Sequence, residues 1–218
     1  MIRVTALNIK NTQDSRFEKA VEMLPFSIKS EVMRYRKKDD RFTRVFGKLL
    51  LKEQLAAFNF ESHQITDVQK STFGKPFLPI ELEFNVSHSG EWVVCAASTI
   101  CVLGIDIEKI NPEAPMEIRE FFTPEEMSRI NNGDDPASAL IRIWTRKEAV
   151  LKAEGSGIST GLEKVDTTTD SIAFAGRHWF LQDIFLDPAY HCALASERKT
   201  GHSLHIFTPA LLFDCLGM

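Results

Sequence analysis

Asp106 and Glu108 stand two apart in Val102-Leu103-Gly104-Ile105-Asp106-Ile107-Glu108, alternating with Ile105 and Ile107. Such alternation predicts a strand with one apolar and one acidic face. Strand geometry puts both carboxylates on the same side, with Cα atoms roughly 6–7 Å apart. Carboxylates that close raise each other's pKa unless something positive lies between them. A hard divalent cation suits the place, because Mg²⁺ takes oxygen ligands and leaves positions open for phosphates. A half-exposed strand with an acidic outer face would explain the same residues. The company the strand keeps has to decide.

Further along, Trp144, Glu148 and Lys152 recur every four residues. On a helix they share a face. A plain Glu148–Lys152 surface pair is the ordinary explanation, worth about 0.3–0.5 kcal/mol. If that face packs over the acidic strand, Asp106, Glu108 and Glu148 can hold one Mg²⁺, and Lys152 adds positive charge for an anion. Ser87-His88 is not a hydrolase pair, because strand neighbours point to opposite faces and no G-x-S-x-G elbow is present. A hydroxyl and an imidazole at a strand end can instead meet a phosphate. Lys70-Ser71-Thr72-Phe73-Gly74-Lys75-Pro76-Phe77 is a Gly-Pro turn flanked by Lys70 and Lys75, and is not a Walker loop.

The elements that must position these groups are legible in part. Residues 2–7 read as a first strand. Ser27 is placed to cap a short helix, and apolar residues Phe42, Val45, Phe46, Leu49, Leu50 and Phe58 predict a helix from about Asp39 to Phe58. Leu82, Phe84 and Val86 alternate into Ser87-His88-Ser89, and the apolar run Trp92 to Ala97 suits a strand buried on both faces. Thr123-Pro124-Glu125-Glu126 is a capping box with proline at the first helical position, and that helix ends near Asn131-Asn132-Gly133. Pro136 opens another, which runs to Glu154 and stops at Gly155-Ser156-Gly157. Strands follow at Ile172–Ala175, His178–Phe185, Tyr190–Ser196 and Ser203–Phe207. Cys95-Ala96-Ala97-Ser98 echoes Cys192-Ala193-Leu194-Ala195-Ser196, so the chain reads as two α+β halves of similar plan, dividing near Leu103.

The 218 residues carry a net charge of −4, which argues against a general nucleic-acid binder. An ordinary hydrophobic fraction allows a sizeable core. No apolar run approaches the roughly 20 residues of a membrane helix, and the N-terminus is too soon polar for a signal peptide. Cys95 and Cys192 sit in apolar strands as buried free thiols, which fits a reducing cytoplasm.

Taken together, Phe73-Gly74-Lys75-Pro76, Phe84-Asn85-Val86-Ser87-His88-Ser89, Gly104-Ile105-Asp106-Ile107-Glu108, Phe121-Phe122-Thr123 and Trp144-Thr145-Arg146-Lys147-Glu148-Ala149-Val150-Leu151-Lys152 resemble the 4′-phosphopantetheinyl transferases, in the larger, surfactin-synthetase-activating subclass. The resemblance covers roughly residues 30–160. It implies an α+β pseudo-dimer, with residues 1–102 as a coenzyme A-binding half and 103–218 as the half with the metal site and catalytic helix. It implies a cytoplasmic monomer that moves the phosphopantetheine arm of coenzyme A to a serine of an apo acyl or peptidyl carrier protein, releasing 3′,5′-ADP. Coenzyme A is then the substrate that is cut, and neither nucleic acid nor membrane is a partner.

By the same resemblance Asp106, Glu108 and Glu148 bind Mg²⁺, or Mn²⁺ in its place. Glu148 is also the candidate base for the carrier serine, directly or through water, and Lys152 offsets pyrophosphate charge. Coenzyme A contacts fall on Lys70, Phe73, Gly74, Lys75, Pro76, Asn85, Ser87 and His88, with His88 near the 3′-phosphate. Lys38, Arg41 and Arg44 are alternatives for a further basic contact. The region from Met116 to Met127 is expected to border the carrier, with Lys109, Arg119 and Arg129 as rim contacts for an acidic partner. Two other readings use the same residues: a Mg²⁺-dependent nucleotide pyrophosphohydrolase, and a coenzyme A-binding regulator without chemistry. The intact Glu148 and Lys152 speak against the second.

Overall fold

The computed structural model describes residues 1–10, 12–62, 64–111, 120–155 and 161–217. The main elements run β1 (Ile2–Asn8), α1 (Asp14–Glu22), α2 (Phe26–Val32), α3 (Lys38–Ala57), β2 (Gln69–Lys70), β3 (Pro76–Phe77), β4 (Glu83–Ser89), β5 (Trp92–Ser98), β6 (Leu103–Lys109), α4 (Pro124–Asn132), α5 (Pro136–Glu154), β7 (Ser171–Phe174), β8 (Arg177–Asp183), β9 (Tyr190–Ser196), β10 (His202–Phe207) and α6 (Pro209–Cys215). Two four-stranded sheets have the orders β10-β1-β5-β4 and β6-β9-β8-β7.

Strand alternation divides the core into layers. Ile2, Val4, Ala6, Trp92, Val94 and Ala96 of the first sheet face Leu103, Ile105, Ile107, Cys192 and Leu194 of the second across one apolar cluster. The opposite faces each receive a helix. Leu7, Val93, Cys95 and Ala97 pack under α3, and Ala193 and Ala195 under Ala149, Val150 and Ala153 of α5. Every residue of β5 is buried, as its unbroken apolar run predicts. Polar staples fix α3: Arg3 of β1 holds Glu53 by two 2.6 Å bonds, and Gln54 bonds the Arg3 and Cys95 carbonyls.

The chain passes from the first sheet to the second and returns at its end. β6 follows β5 but pairs with β9, and β10 follows β9 but pairs with β1 in parallel. The two sheets differ in order, since β1 lies beside the incoming β10, whereas β9 rather than β7 lies beside the incoming β6.

Most helix ends fall where their residues predict. Thr123 and Glu126 form both arms of a capping box with Pro124 at the helix start, and Gly155 closes α5 at φ 88°. Ser27 does not cap α2. Pro25 holds the cap position without a side-chain bond, and Ser27 lies inside the first turn. Helices α1 and α6 were not expected from the pattern. They are short, and their apolar residues gain meaning only against α3, where Phe17 stacks on Phe42 at 4.1 Å and Phe213 lies over Phe46. No helix of the described residues is long and apolar enough to cross a membrane.

Candidate active site

The acidic strand lies directly beneath α5, and Gly104 is the reason. A Cβ on Gly104 would stand 2.3 Å from both the Ala149 carbonyl oxygen and the Ala153 nitrogen. Only a residue without a side chain lets helix and strand backbones approach so closely. Two residues on, Asp106 is on the same face and meets the Glu148–Lys152 face of α5. Lys152 Nζ lies 2.5 Å from Asp106 Oδ1 and 2.9 Å from Ser87 Oγ. Ser87 in turn donates to Asp106 Oδ1 at 2.8 Å.

A side-chain ladder carries this link along β4. The alternating residues Asn85, Ser87 and Ser89 all face β6. Asn85 Oδ1 accepts from the Ile105 backbone at 3.0 Å, and Ser89 donates to Glu108 Oε2 at 2.8 Å. The edges of two sheets are thus joined by side chains where no backbone ladder exists. His88 points the other way, toward α3, as strand parity requires.

Two of the three acids keep a bare oxygen, while Glu108 accepts from Ser89. Asp106, only 2% exposed, has Oδ2 buried without a hydrogen bond, and Glu148 Oε1 is in the same state. Burial first, then the Asp106 charge, pushes the Glu108 carboxyl up to about 7, and the same causes raise Glu148. Lys152 opposes both shifts. Among the described residues no group of three or more His, Cys, Asp or Glu side chains is placed so as to hold a metal ion. Acceptor-only oxygens left bare in a buried acidic cluster nevertheless form a donor set that fits a hard cation.

Two cavities meet beside the acids. One, of about 330 Å³, is lined by Arg44, Lys48, Lys70 and His88, with Glu31 the one acid on its wall. The other, of about 320 Å³, contains Phe73, Lys75, Leu151, Glu148 and Lys152. Gly74, Pro76, Asn85 and Val86 line both. Burial is the first cause lowering the pKa of Lys48, with Lys70 and Arg44 adding and Glu31 opposing. Desolvation, then Arg44 and Lys152, lowers that of His88. With Arg44, Lys48 and Lys70 against the single carboxylate of Glu31, the cavity carries net positive charge, which favours an anion.

Two family models match consecutive stretches of the chain. The first, described as 4′-phosphopantetheinyl transferase, N-terminal, matches residues 11–100, and the second, 4′-phosphopantetheinyl transferase superfamily, matches residues 102–206. The chain belongs to the 4′-phosphopantetheinyl transferase superfamily.

Among the relatives of this superfamily, the 4′-phosphopantetheinyl transferase gsp of Aneurinibacillus migulanus is 37% identical over 58% of this chain and 54% of its own length. A 4′-phosphopantetheinyl transferase of Bacillus subtilis is 33% identical over 60% and 59%. The 4′-phosphopantetheinyl transferase Sfp of Bacillus subtilis (strain 168) is 28% identical over 76% and 78%. The chain thus spans between half and three fifths of the first two relatives. The two consecutive family models and the paired sheets with their helices fit the α+β fold of that superfamily.

The positions proposed for phosphopantetheinyl transfer do not all come together. Asp106, Glu108, Glu148, Lys152, Ser87 and Asn85 gather at the β4–β6–α5 junction. Arg44, Lys70, Gly74, Pro76 and His88 line the adjoining basic cavity, and Phe73 and Lys75 the other. Lys38 and Arg41 stay outside both. Lys38 pairs with Asp14 at 2.5 Å, and Arg41 Nε donates to the Tyr35 carbonyl. Arg44 instead places its guanidinium carbon over the Tyr35 ring, 3.9 Å from the centroid. Lys48 was not singled out by sequence reasoning. Its signal was present all the same, since it stands four residues after Arg44 and so shares its face. Arg119 lies outside the described residues, and Arg129 donates to the Thr168 carbonyl at 3.0 Å.

Arg146 and Lys147, read only as parts of a motif, turn out to aim α5. Lys147 is fully buried, 2.8 Å from Glu126 Oε2, and donates to the carbonyls of Leu162 and Val165. Glu126 also accepts from the backbones of Thr123 and Thr167. Arg146 holds Asp183 and Asp170. These bonds grip one side of α5, so Glu148 and Lys152 are turned toward β6. Trp144, on the same line, packs against both Phe121 and the buried Phe122.

Proposed function

We propose that this chain transfers the 4′-phosphopantetheine arm of coenzyme A to a serine hydroxyl of an apo acyl or peptidyl carrier protein, releasing 3′,5′-ADP. The observation that carries this reading is the continuity of a basic cavity with an acidic cluster through Gly74, Pro76, Asn85 and Val86. An anionic nucleotide held by Arg44, Lys48, Lys70 and His88 would extend its pyrophosphate toward Lys152 and the three acids. Main-chain groups of Gly74 and Pro76, the Phe73 ring and the Lys75 stem would line its path. Asn85 and Ser87 would support the wall from β4.

The carrier serine oxygen attacks the phosphorus bearing the pantetheine arm. The bond from that phosphorus to the bridging oxygen breaks, and 3′,5′-ADP leaves with its electrons. The serine proton goes to Glu148, directly or through a water, the carboxylate of α5 that faces the same cavity as Lys152. Lys152 places its charge beside the leaving pyrophosphate oxygens. Asp106, Glu108 and Glu148 would hold Mg²⁺, or Mn²⁺, and the ion would neutralise negative charge that otherwise repels the attacking oxygen.

The division into a coenzyme A-binding half, 1–102, and a metal-bearing half, 103–218, belongs to the same proposal. It is supported by the passage of the chain from one sheet to the other between β5 and β6, with β10 and α6 returning to the first sheet. A monomeric state and a cytoplasmic location complete the reading. The latter is supported by four free cysteines, of which Cys95, Cys101 and Cys192 are buried. Lys109, which extends over the Tyr190 ring, and Arg129 remain the described basic groups proposed for the carrier rim.

Intact-mass analysis of a panel of apo carriers, incubated with coenzyme A and Mg²⁺, tests the proposal. A carrier that gains one phosphopantetheine on serine supports it. Release of 3′,5′-ADP without any carrier modified would replace it with hydrolysis.

A further inference from the structure

The ammonium of Lys75 does not point into open solvent or into the basic cavity. Its Nζ donates to the carbonyl oxygen of Ala153 at 2.8 Å. That carbonyl belongs to the last turn of α5, where helix carbonyls have no intrahelical donor. Gly155 N–H takes the Leu151 carbonyl, so the lysine completes the end of the helix by serving a different one. A cation at a helix C-terminus is also favoured by the macrodipole. Glu83 lies 4.0 Å away and adds a weak charge partner.

The remainder of Lys75 is fixed as tightly. Its backbone N–H donates to Ser71 Oγ at 3.1 Å, and its carbonyl accepts from Ser71 N–H at 2.9 Å. Both bonds lock it into the turn 71–75, whose Gly74 borders both cavities. Its stem fills the space left by a missing side chain, because a Cβ on Gly155 would stand 3.0 Å from Lys75 Cδ. Gly155 is therefore required twice, for its φ of 88° and for the lysine that crosses it.

We propose that Lys75 is a positioning residue that registers the end of α5 against the nucleotide-side turn, and so sets Glu148 and Lys152 relative to bound coenzyme A. The proposal rests on the transferase reading above. Ala153 follows Lys152 directly and lies little more than a turn from Glu148. A bond at Ala153 therefore transmits the position of turn 71–75 to both groups along a rigid helix. The role differs from direct phosphate binding, in which the same ammonium would contribute to nucleotide affinity.

The test uses Lys75→Met, which keeps the stem and removes the charge, and Lys75→Arg, which restores a cationic donor. With a carrier identified for the wild type, kcat of Lys75→Met should fall about ten- to a hundredfold, the cost of a misplaced catalytic group. Its affinity for 3′,5′-ADP, by calorimetry, should stay within about twofold, because uniform binding is untouched. Lys75→Arg should recover most of the loss. Amide exchange at Gly155 should speed up in Lys75→Met and not in Lys75→Arg. Should Lys75→Met fail to fold, Lys75→Gln is read by the same measurements. A tenfold or greater loss of 3′,5′-ADP affinity would overturn the proposal in favour of direct contact. Unchanged kcat and unchanged exchange would overturn it outright. If the wild type modifies no carrier, the transferase reading fails by itself. The exchange and nucleotide measurements, which need no carrier, then decide the role of Lys75.

Discussion

Gly104 lies so close under Ala149 that a methyl group on it would stand 2.3 Å from the Ala149 carbonyl oxygen. Neither partner can move aside cheaply, since one is strand backbone and the other helix backbone. Gly104→Ala should therefore lift α5 from β6. We expect a stability loss of about 1–3 kcal/mol, as for other overpacked cores, and a larger fractional loss of transfer. Urea unfolding with carrier modification measured on the same sample checks this. Wild-type transfer by a fully folded variant would show that close α5–β6 contact is not what positions Glu148.

Asp106→Asn keeps the shape of the side chain and removes its charge. Transfer should fall by at least about a hundredfold, in the range seen when a key electrostatic group is lost. Mg²⁺ should raise the melting temperature of the wild type and leave that of the variant unchanged. A melting series against Mg²⁺ reads this without any carrier. An unchanged Mg²⁺ response would remove Asp106 from the metal site.

The basic cavity separates two sets of cations. Lys48→Met should weaken coenzyme A binding by about tenfold or more, the worth of one charge-assisted hydrogen bond. Lys38→Ala should leave it unchanged, because Lys38 is turned to Asp14. Calorimetry with 3′,5′-ADP at two salt concentrations distinguishes the two, and the Lys48 effect should shrink at the higher one. Equal effects from both substitutions would mean that the nucleotide lies elsewhere.

Lys147 and Glu126 are each buried with no exposed side-chain area. Lys147→Met leaves the Glu126 charge inside the protein, at a cost of about 3–5 kcal/mol. Pairing it with Glu126→Gln should recover part of that loss. A double-mutant cycle by chemical denaturation measures the coupling. Additive losses would show that the two charges do not depend on each other.

His202 gives a signed pH dependence. Its Nδ1 donates to Gln182 Oε1, since the Gln182 amide nitrogen is committed to the Thr200 carbonyl. Desolvation lowers its folded pKa below the ordinary 6.5. Above that value both states are neutral, and nothing is lost. As pH falls through 6.5 the unfolded chain takes up a proton that the folded chain resists, so stability declines. His202→Gln should flatten this part of the curve. Unfolding free energies between about pH 5 and 7.5 decide, and parallel curves for wild type and variant would refute the assignment.

Much of the site was legible because its signals are local. The parity of Asp106 and Glu108, the four-residue spacing of Glu148 and Lys152, and the capping box at Thr123 follow from backbone geometry within one element. Parity also separated Ser87 from His88, and the structure sends the first to Asp106 and the second toward Arg44. The choice among Lys38, Arg41 and Arg44 could not be made that way. All three lie close together on or beside one helix, and only the neighbours of that helix decide which way each turns. Asp14 and the Tyr35 carbonyl claim two of them, and neither lies in the same element. Lys147 and Glu126 were hidden for a related reason: a lysine inside a helix looks like surface until another element covers it. The sequence alone therefore determined which groups share a strand face or a helix face. Tertiary packing decided which faces meet, because burial of a charge depends on elements brought from elsewhere in the chain, and it is that burial that turns paired residues into a site.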